Sequence, residues 1–236
     1  MNHLLTPDYL RCVLKKEDDI FKIEYYNRSI DTYLVMHVVP VEWGSEHELE
    51  KVMLIAQDIG QKHELENLAN TDGLTGLYNE RYFNSILHKK ELQKLPFILF
   101  YLDLDHFKPV NDTYGHDMGD KLLKEAASRL QSCIRSNDYA FRIGGDEFSL
   151  VVCTEFDESL CRRIKEQIQN RLCAPFDIDG KTLYVGSSCG YAAYPNDAST
   201  ANEIRILADQ RMYAEKEKHH MFSSLSSSST GSGLEK

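Results

Sequence analysis

Two glycines and two carboxylates stand together between short apolar runs in the segment from Phe141 to Leu150. Gly144 and Gly145 predict the turn of a tight β-hairpin, because a two-residue turn needs a positive φ that glycine adopts without strain. Glycines also leave room for a ligand to approach the backbone. Asp146 and Glu147 would then be held at the tip of the hairpin. Taken alone, this pattern favours an ordinary turn with solvated acids.

A second pair of acids changes that interpretation. The nearly continuous apolar run from Pro96 to Asp105 predicts a central strand that is covered on both faces. Asp103 and Asp105 alternate at its end, so their side chains share one face. Burying a carboxylate without a partner is strongly destabilising, so these two acids need a cation. The end of this strand, beside the acidic hairpin, is therefore the predicted cation site.

Helices alternate with strands around these two segments. Asn79 is placed to cap a helix from Glu80 to about Leu92, and an apolar stripe from Leu122 to Ile134 predicts a second helix. Asp120 would lie in the first turn of that second helix, where the helix dipole favours a negative charge. Proline and glycine punctuate the residues before this helix and predict a loop, which holds the polar side chains Lys108, Asn111 and Asp112.

Three further elements are predicted after the hairpin. Leu160 to Leu172 has the spacing of an amphipathic helix, and Leu183 to Tyr194 has the pattern of a strand whose small residues allow close packing. A last helix is predicted from about Ala201 to Lys218. This order of elements predicts an α+β fold, in which helices cover a mostly antiparallel central sheet. The sequence contains neither a P-loop nor a Rossmann glycine motif.

The N-terminal part has a different pattern. Three β-like runs, at Phe21–Tyr26, Tyr33–Val39 and Val52–Gln57, predict a small meander. With the residues that flank it, over 1–59, this meander resembles the C-terminal half of a PAS sensor domain. A plain β-rich adaptor is the alternative. Residues 60–70 predict a short helical connector, because their two leucines are too few for a coiled coil.

The composition excludes several classes of protein. The net charge is −10, with 37 acidic against 27 basic residues, so unspecific binding to nucleic acid is not expected. The six cysteines include no C-x-x-C pair and mostly lie in apolar segments, which predicts core residues of a reduced cytoplasmic protein. No apolar run or signal-peptide pattern predicts membrane insertion of this chain, although a membrane-anchored parent is compatible with it. Pro7 should break any early helix, and the Ser/Gly-rich residues 223–236 predict a disordered tail.

Four segments carry motifs in a fixed order, at Asp72–Asn79, Asp103–Asp112, Gly115–Asp120 and Arg142–Phe148. In this order and at this spacing they resemble the successive signatures of the GGDEF diguanylate cyclases, over residues 71–222. The resemblance implies a palm-like fold and a reaction that joins two GTP molecules into cyclic di-GMP, with release of two pyrophosphates. One site holds one GTP, so a homodimer is implied in which each subunit presents one nucleotide to the other.

The resemblance also implies which residues bind metal and perform the reaction. Asp103 and Asp146 would be ligands of Mg²⁺ or Mn²⁺, with the carbonyl of Leu104 completing the site, since hard cations prefer oxygen donors. Glu147 would be a second metal ligand or would help to deprotonate the attacking ribose 3′-hydroxyl. Two ions would clamp the attacking and leaving oxygens at the α-phosphate. The catalytic turn would consist of Gly144, Gly145, Asp146 and Glu147.

Five other residues would hold the nucleotide. Phe107 and Lys108 would face the phosphates, and Lys216 would steady the terminal phosphate. Asn111 and Asp120 would bind the guanine edge, with Asp120 accepting hydrogen bonds from N1 and N2. Adenine cannot match that pattern, so an adenylyl specificity is disfavoured. In the family, this use of Asp120 replaces the helix-dipole role.

A regulatory site is implied as well. Arg135 and Asp138 match the spacing of the R-x-x-D inhibitory site of the family, where the product cyclic di-GMP docks. A surface ion pair is the alternative for these two residues. Arg162 or Arg163 is the candidate for a companion arginine. His220 stands where the family usually has an arginine, which predicts weaker GTP binding without loss of the reaction.

Two hypotheses of different classes follow. The first is an active diguanylate cyclase, and the second is a receptor-type relative that binds GTP or cyclic di-GMP and signals by contact. The intact run of two glycines and two carboxylates favours the first, because degenerate members usually lose those carboxylates.

Overall fold

The computed structural model describes residues 6–16, 19–45 and 48–228. The chain divides into two compact units, Met1–Ala69 and Asn70–Lys236, which are described separately below. In the part of the chain that the structure describes, no helix combines the length and the apolar character needed to cross a membrane.

The first unit contains a three-stranded antiparallel sheet, and the predicted meander is confirmed at the level of its strands. Leu10 and Leu14 pack against Val38 and Leu49 to form a small apolar core. The elements in chain order are α1 (Pro7–Val13), β1 (Phe21–Asn27), β2 (Thr32–Trp43), β3 (Leu49–Asp58) and α2 (Gly60–Asn70). The strands are ordered β1-β2-β3, and α2 matches the predicted connector.

The helix α1 contradicts the prediction that Pro7 excludes an early helix. Pro7 is its first residue, and the hydroxyl oxygen of Thr6 accepts a hydrogen bond from the backbone N–H of Tyr9 at 3.4 Å. Proline is tolerated at that position because the first N–H groups of a helix have no partner within the helix. Pro7 therefore begins the helix instead of breaking it.

The second unit has the predicted α+β fold, with a mixed five-stranded sheet between helices. Its elements are β4 (Tyr78–Asn79), α3 (Glu80–Leu92), β5 (Phe97–Asp105), α4 (Phe107–Tyr114), α5 (His116–Gln131), β6 (Tyr139–Gly144), β7 (Glu147–Val152), α6 (Glu158–Leu172), β8 (Phe176–Ile178), β9 (Lys181–Leu183), β10 (Gly186–Tyr194) and α7 (Ala201–Ser228). The strand order is β10-β5-β7-β6-β4, and all pairings in it are antiparallel except that of β4 with β6. The strands β8 and β9 form a separate hairpin.

The central strand β5 separates two apolar cores. All of its residues are buried, as the continuous apolar run predicted. Leu102 faces the core that includes residues of α5 and α6, whereas Leu99 faces the core that includes residues of α3 and α7. Because side chains alternate along a strand, Asp103 and Asp105 share the face of Leu99. The two acids therefore point to the side of the sheet that α7 covers.

The segment after β5 differs from the predicted loop. The helix α4 occupies it, and Pro109 is accommodated in the first turn of this helix. Gly115, with φ 84°, separates α4 from α5. Because α5 already begins at His116, Asp120 is its fifth residue and lies beyond the first turn, contrary to the prediction.

The last strand and the last helix also differ from their predicted limits. Leu183 belongs to β9, and β10 begins only at Gly186. The helix α7 begins at Ala201 as predicted and extends to Ser228, so residues 223–228 are helical and not part of a disordered tail. Residues 229–236 of that predicted tail lie outside the described residues.

The small residues of β10 do allow close packing, as predicted. A Cβ atom at Gly190 would overlap backbone atoms of Ala208 and Met212 in α7. Only glycine at this position lets the helix lie directly on the strand. This close approach fixes the distance between α7 and the strand pair that carries the acids.

The cysteines are free thiols, in agreement with the sequence analysis. Cys161 and Cys189 are buried, whereas Cys12 and Cys173 are exposed. Cys133 and Cys153 are partly buried and pack against the two apolar cores. The prediction of core cysteines therefore holds for four of the six and is wrong for Cys12 and Cys173. Apolar neighbours in the sequence do not determine which face of a helix or strand a cysteine occupies.

Candidate active site

The C-terminal end of β5 carries two buried carboxylates. Asp103 is 6% exposed and Asp105 is 3% exposed. Asp103 lies directly opposite Glu147 of β7, and Asp105 lies opposite Gly186 of β10. The Cβ atoms of directly opposite residues are about 4.5–5.5 Å apart in such a pair. Two acids from distant parts of the chain are therefore side by side.

The hairpin between β6 and β7 brings a third carboxylate to the same place. Gly144 pairs with Glu147, which leaves Gly145 and Asp146 as the turn. Gly145 has φ 50°, whereas Gly144 does not have a positive φ. The prediction that the turn needs glycine for its positive φ is therefore confirmed for Gly145 and wrong for Gly144. The N–H of Leu104 donates to the carbonyl oxygen of Asp146 at 3.2 Å. This hydrogen bond fixes the turn against the end of β5.

Arg142 stabilises this turn. Its Nε and Nη2 atoms donate to the carbonyl oxygen of Gly145 at 3.0 and 2.8 Å, and its Nη1 contacts both carboxylate oxygens of Asp72 at 3.2 and 3.3 Å. Asp72 also accepts hydrogen bonds from the N–H and the hydroxyl of Thr75. Burial opposes ionisation of Asp72, but the Thr75 hydrogen bonds and Arg142 outweigh it and lower the pKa. The first motif of the second unit thus holds the acidic hairpin through one arginine.

One lysine of α7 balances part of the negative charge at the site. Nζ of Lys216 lies 2.7 Å from Oδ1 of Asp103. No donor in the described ranges is aligned for a hydrogen bond to that oxygen, so we treat the contact as an ion pair. Burial and the charges of Asp146 and Asp105 raise the pKa of Asp103 in spite of Lys216. Burial lowers the pKa of Lys216, but the same acids outweigh it, so that pKa is also raised.

Glu147 is partly buried beside a tyrosine. The hydroxyl of Tyr101 donates to Oε2 of Glu147 at 3.4 Å. Burial and the charge of Asp103 raise the pKa of Glu147. Burial and the charge of Glu147 raise the pKa of Tyr101, which keeps its hydroxyl protonated as a donor. The ionised form of Glu147 is therefore disfavoured unless a cation lies close to it.

Asp105 has partners of its own within the chain. Its carboxylate accepts from the hydroxyl of Ser188 in β10, at 2.8 and 3.0 Å from the two oxygens, and its Oδ2 lies 2.9 Å from Nδ1 of His219 in α7. Oγ of Ser188 also lies 3.3 Å from Nδ1 of His219. The prediction that both acids of the strand need a bound cation is therefore wrong for Asp105, and the need falls on Asp103.

The acidic cluster, which we define as Asp103, Asp146 and Glu147, suits a hard divalent cation. Its carboxylates and the nearby carbonyl of Leu104 are oxygen ligands of the kind that Mg²⁺ and Mn²⁺ prefer. Burial first, and neighbouring carboxylates second, raise the pKa of Asp103 and of Glu147, so a bound cation would stabilise their ionised forms. Within the described ranges, no three His, Cys, Asp or Glu side chains already converge as metal ligands. The donor set therefore fits such an ion once the side chains, including that of Lys216, rearrange.

The N-terminus of α4 follows directly after the acids of β5. The first N–H groups of a helix lack partners within the helix and favour anions such as phosphate. Phe107, the first residue of α4, has its ring buried in the core, so only its backbone can face a phosphate. Lys108 is exposed beside it. Of the two residues predicted to face phosphates, one therefore offers a backbone N–H and the other a charged side chain.

The close packing of α4 on α5 places Asn111 against Gly119, the residue that precedes Asp120. A Cβ atom at Gly119 would overlap Oδ1 of Asn111 and would lie 3.2 Å from Cζ of Phe107. Glycine at position 119 therefore lets the amide of Asn111 lie against α5, beside the exposed residue Asp120. Two residues with the hydrogen-bonding groups to recognise a base are thus adjacent on two helices.

A separate cavity of about 310 Å³ contains the predicted regulatory residues. Arg135 and Asp138 both line it. The two carboxylate oxygens of Asp138 accept from the backbone N–H groups of Cys153, at 2.9 Å, and Arg135, at 3.1 Å. In the described part of the chain, no side-chain ion pair joins Arg135 to Asp138, which disfavours the alternative of a surface ion pair.

The structure distinguishes the two candidate companion arginines. Arg163 lines the cavity together with Gln167, whereas Arg162 does not line it. Nη2 of Arg162 instead lies 3.5 Å from Oε1 of Glu158 on the exposed side of α6. Arg163 is therefore the arginine that a ligand in the cavity could reach.

Several residues of the site were not identified from the sequence. Arg142 and Asp72 both lie within the quoted motifs, so an arginine next to the acidic hairpin was an available signal. Ser188 and His219 gave no such signal, because they lie 83 and 114 residues from Asp105 in the chain. Only the tertiary fold brings these two residues to the carboxylate. The side chain of His220, for which weaker GTP binding was predicted, lies outside the described side chains.

Comparison with known sequences gives a family match and several relatives. The family described as "Diguanylate cyclase, GGDEF domain" matches residues 69–221. The uncharacterized protein YhcK of Bacillus subtilis is 38% identical over 202 residues, which cover 80% of this chain and 54% of YhcK. The probable diguanylate cyclase DgcT of Escherichia coli is 35% identical over 156 residues, 64% of this chain and 34% of DgcT. The cyclic di-GMP phosphodiesterase NbdA of Pseudomonas aeruginosa is 33% identical over 174 residues, 72% of this chain and 22% of NbdA. The chain spans about half of the length of these relatives, or less.

Solved structures agree with the fold of the second unit. A sensory box/GGDEF family protein from Caulobacter crescentus matches with a TM-score of 0.56 and 37% identity, over 63% of this chain and 99% of that one. The coiled coil and GGDEF domain of DgcB from the same organism, solved in complex with c-di-GMP, matches with a TM-score of 0.60 and 26% identity. That match covers 67% of this chain and 86% of the DgcB chain.

Proposed function

The chain belongs to the family of diguanylate cyclase GGDEF domains, and from this membership we propose that its second unit is an active diguanylate cyclase. It would join two GTP molecules into cyclic di-GMP and release two pyrophosphates. The observation that carries the proposal is the acidic cluster, in which Asp103 lies opposite Glu147 and the turn at Asp146 is bonded to Leu104. A cluster of incompletely compensated carboxylates is the arrangement that a metal-bound triphosphate requires.

Each residue of the cluster has a role in this proposal. Asp103, Asp146 and Glu147, with the carbonyl of Leu104, would hold Mg²⁺ or Mn²⁺, and such an ion supplies charge neutralisation at phosphate oxygens when it is bound. Glu147 has a raised pKa and a hydrogen bond from Tyr101, so it is suited to accept the proton of the ribose 3′-hydroxyl. Metal binding and proton acceptance remain the two alternatives for Glu147.

The remaining residues would hold and orient GTP. The N-terminus of α4, with Lys108, would bind phosphate oxygens through its free N–H groups and a lysine charge. Lys216 would exchange its ion pair with Asp103 for the terminal phosphate. Asn111 and Asp120 would bind the guanine edge, because a carboxylate accepts from N1 and N2 of guanine and finds no such donor pair in adenine.

We propose that catalysis requires a homodimer. The acidic cluster and the nucleotide-binding residues form one site for one GTP, and the product contains two guanosine units. The second nucleotide would come from the site of another subunit. Signals from the first unit, which we propose to be PAS-like, would then act by changing how two catalytic units face each other.

We further propose that cyclic di-GMP inhibits the enzyme from the cavity that Arg135, Asp138 and Arg163 line. The guanidinium groups can bind a guanine edge or a phosphate through paired hydrogen bonds, and Asp138 can accept from ring N–H groups. Both carboxylate oxygens of Asp138 already hold backbone N–H groups, which fixes the carboxylate in place.

A direct assay tests the proposed activity. Purified chain is incubated with GTP and Mg²⁺ over a range of protein concentrations, and cyclic di-GMP is measured by chromatography. We expect product to form, with a specific activity that rises with protein concentration as dimers form. Asp146→Ala should abolish product formation while the protein stays folded, and the exposed acid change Asp117→Asn is the control.

The alternative is a receptor that binds nucleotide without converting it. A folded dimer that binds GTP or cyclic di-GMP and yields no product at any concentration would favour that receptor. The relatives named above include both a probable cyclase and a phosphodiesterase. A chain of this family that binds nucleotide without forming cyclic di-GMP would therefore still be compatible with its family membership.

A further inference from the structure

The helix α7 is held in two different ways along its length. Its first half is anchored by buried apolar side chains, of which Ile204, Ala208 and Met212 are examples. None of the described side chains of α7 after Met212 is buried. The part of the helix that carries Lys216 therefore depends on polar contacts for its position.

Those polar contacts include the contacts of Glu215, Lys216 and His219, which lie in one short stretch. Oε2 of Glu215 accepts from the backbone N–H of Cys189 in β10 at 2.7 Å, and it lies 3.0 Å from Nζ of Lys165 in α6. Lys216 contacts Asp103, and His219 contacts Asp105. The contacts of Glu215 and of His219 thus hold the helix on either side of Lys216.

The two contacts of Lys216 with Asp103 and of His219 with Asp105 fit the geometry of both the helix and the strand. Lys216 and His219 are three residues apart and lie on one face of α7. Asp103 and Asp105 are two residues apart and lie on one face of β5. Two neighbouring positions of the helix therefore meet two neighbouring positions of the strand.

The contact between His219 and Asp105 is well placed to act as an anchor. Asp105 is 3% exposed, and a carboxylate in such surroundings needs more than one hydrogen-bond donor. The hydroxyl of Ser188 supplies one donor, and Nδ1 of His219 lies at hydrogen-bond distance, 2.9 Å, from Oδ2 as the second partner.

We propose that His219 is a positioning residue: its bond to Asp105 holds this stretch of α7 against β5 and thereby keeps Lys216 in reach of the terminal phosphate of GTP. This inference rests on the proposed cyclase function. His219 itself does not touch the reacting atoms. A lysine side chain is long and flexible, so its effective concentration at the phosphate depends on how firmly its helix is fixed.

Kinetics of three single variants test this role. We expect His219→Ala to raise the KM for GTP about tenfold, the size of one lost charge-assisted hydrogen bond, while kcat changes by less than about threefold. His219→Asn retains a donor near the position of Nδ1 and should recover most of the affinity. Lys218→Ala, an exposed change in the same turn, should leave both constants unchanged.

A double-mutant cycle separates positioning of Lys216 from a general structural role. Lys216→Ala removes the group that His219 is proposed to position, so adding His219→Ala to it should cause no further rise in KM. Additive effects of the two changes would overturn the proposal. So would an unchanged KM in His219→Ala with a lower kcat that tracks the loss of folded protein.

The outcome for wild-type protein distinguishes failure of this inference from failure of the proposed function. Wild-type turnover with an unaltered KM in His219→Ala would overturn only the role of His219. A wild-type protein that binds GTP without turnover still allows the same cycle to be measured as dissociation constants. A wild-type protein that neither binds nor converts GTP would overturn both.

Discussion

At the scale of single residues, the acidic cluster lowers the stability of the folded protein at neutral pH. Asp103 and Glu147 lie opposite each other, and burial raises the pKa of both carboxyls. The charges of Asp146 and Asp105 raise the pKa of Asp103 further, and the charge of Asp103 raises that of Glu147. A carboxyl whose folded pKa is raised contributes stability that is present below its unfolded pKa and lost as the pH rises through the folded value. At neutral pH the ionised carboxyls of Asp103 and Glu147 therefore destabilise the protein unless a cation compensates their charge.

Glu147→Gln tests this at one residue. The change should abolish cyclase activity and raise Tm at neutral pH by up to about 3 °C, because a domain of this size moves about 2–4 °C per kcal/mol. The difference in Tm should shrink as the pH falls toward the ordinary value of 4.5. Thermal unfolding at several pH values measures it. The exposed change Glu217→Gln is the matched control, and an equal Tm shift in that variant would contradict the explanation.

At the scale of elements, the packing of α4 on α5 determines whether the proposed base-binding residues can meet. The site depends on a helix that follows β5 with no intervening loop, and on a glycine in α5 against which Asn111 lies. The same device recurs at Gly190, where the absence of a side chain lets α7 lie on β10. Two glycines thus set the positions of the helices on either side of the acids.

Gly119→Ala tests the first of these contacts. The new methyl group must displace the amide of Asn111, so we expect the KM for GTP to rise about tenfold and the stability to fall by about 1–3 kcal/mol. Gly73→Ala is the control, because a Cβ atom there meets open space. Initial rates over a range of GTP concentrations and thermal unfolding measure both effects. A normal KM in Gly119→Ala would rule out the proposed role of Asn111.

At the scale of the whole molecule, the second unit carries two candidate nucleotide sites, the acidic cluster and the cavity of Arg135, Asp138 and Arg163. We propose that product formed at the first accumulates at the second and lowers activity. Inhibition and catalysis would then be separable by mutation. The matched pair of arginines in α6 provides the means to separate them.

Arg163→Ala should relieve product inhibition. Loss of the one arginine of the pair that lines the cavity should raise the cyclic di-GMP concentration for half inhibition at least about tenfold. Arg162→Ala, its neighbour outside the cavity, should leave inhibition as in wild type. Initial rates with added cyclic di-GMP measure both. Equal inhibition of the two variants would show that the cavity is not the inhibitory site.

The sequence by itself determined the family of this protein and predicted its candidate chemistry. Apolar periodicity located β5, α3 and the start of α7, and the acids at Asp103, Asp146 and Glu147 predicted a cation site. These signals are local, because a strand, a cap or a glycine turn depends on neighbouring residues. Local signals failed where a short helix could follow a strand directly, as at α4, and where a proline could begin a helix, as at Pro7.

Only the tertiary structure decided which partners the acids have. Asp103 forms an ion pair with Lys216, and Asp105 contacts Ser188 and His219. No pattern in the sequence relates these residues to one another. The tertiary structure also separated Arg163 from Arg162, which the sequence left equivalent. The physical reason is that pairing across a sheet and packing of a helix on it join residues far apart in the chain. The register of the strands and the position of the helix on the sheet follow from the burial of the whole core. They cannot be read from the few polar residues that come into contact as a result.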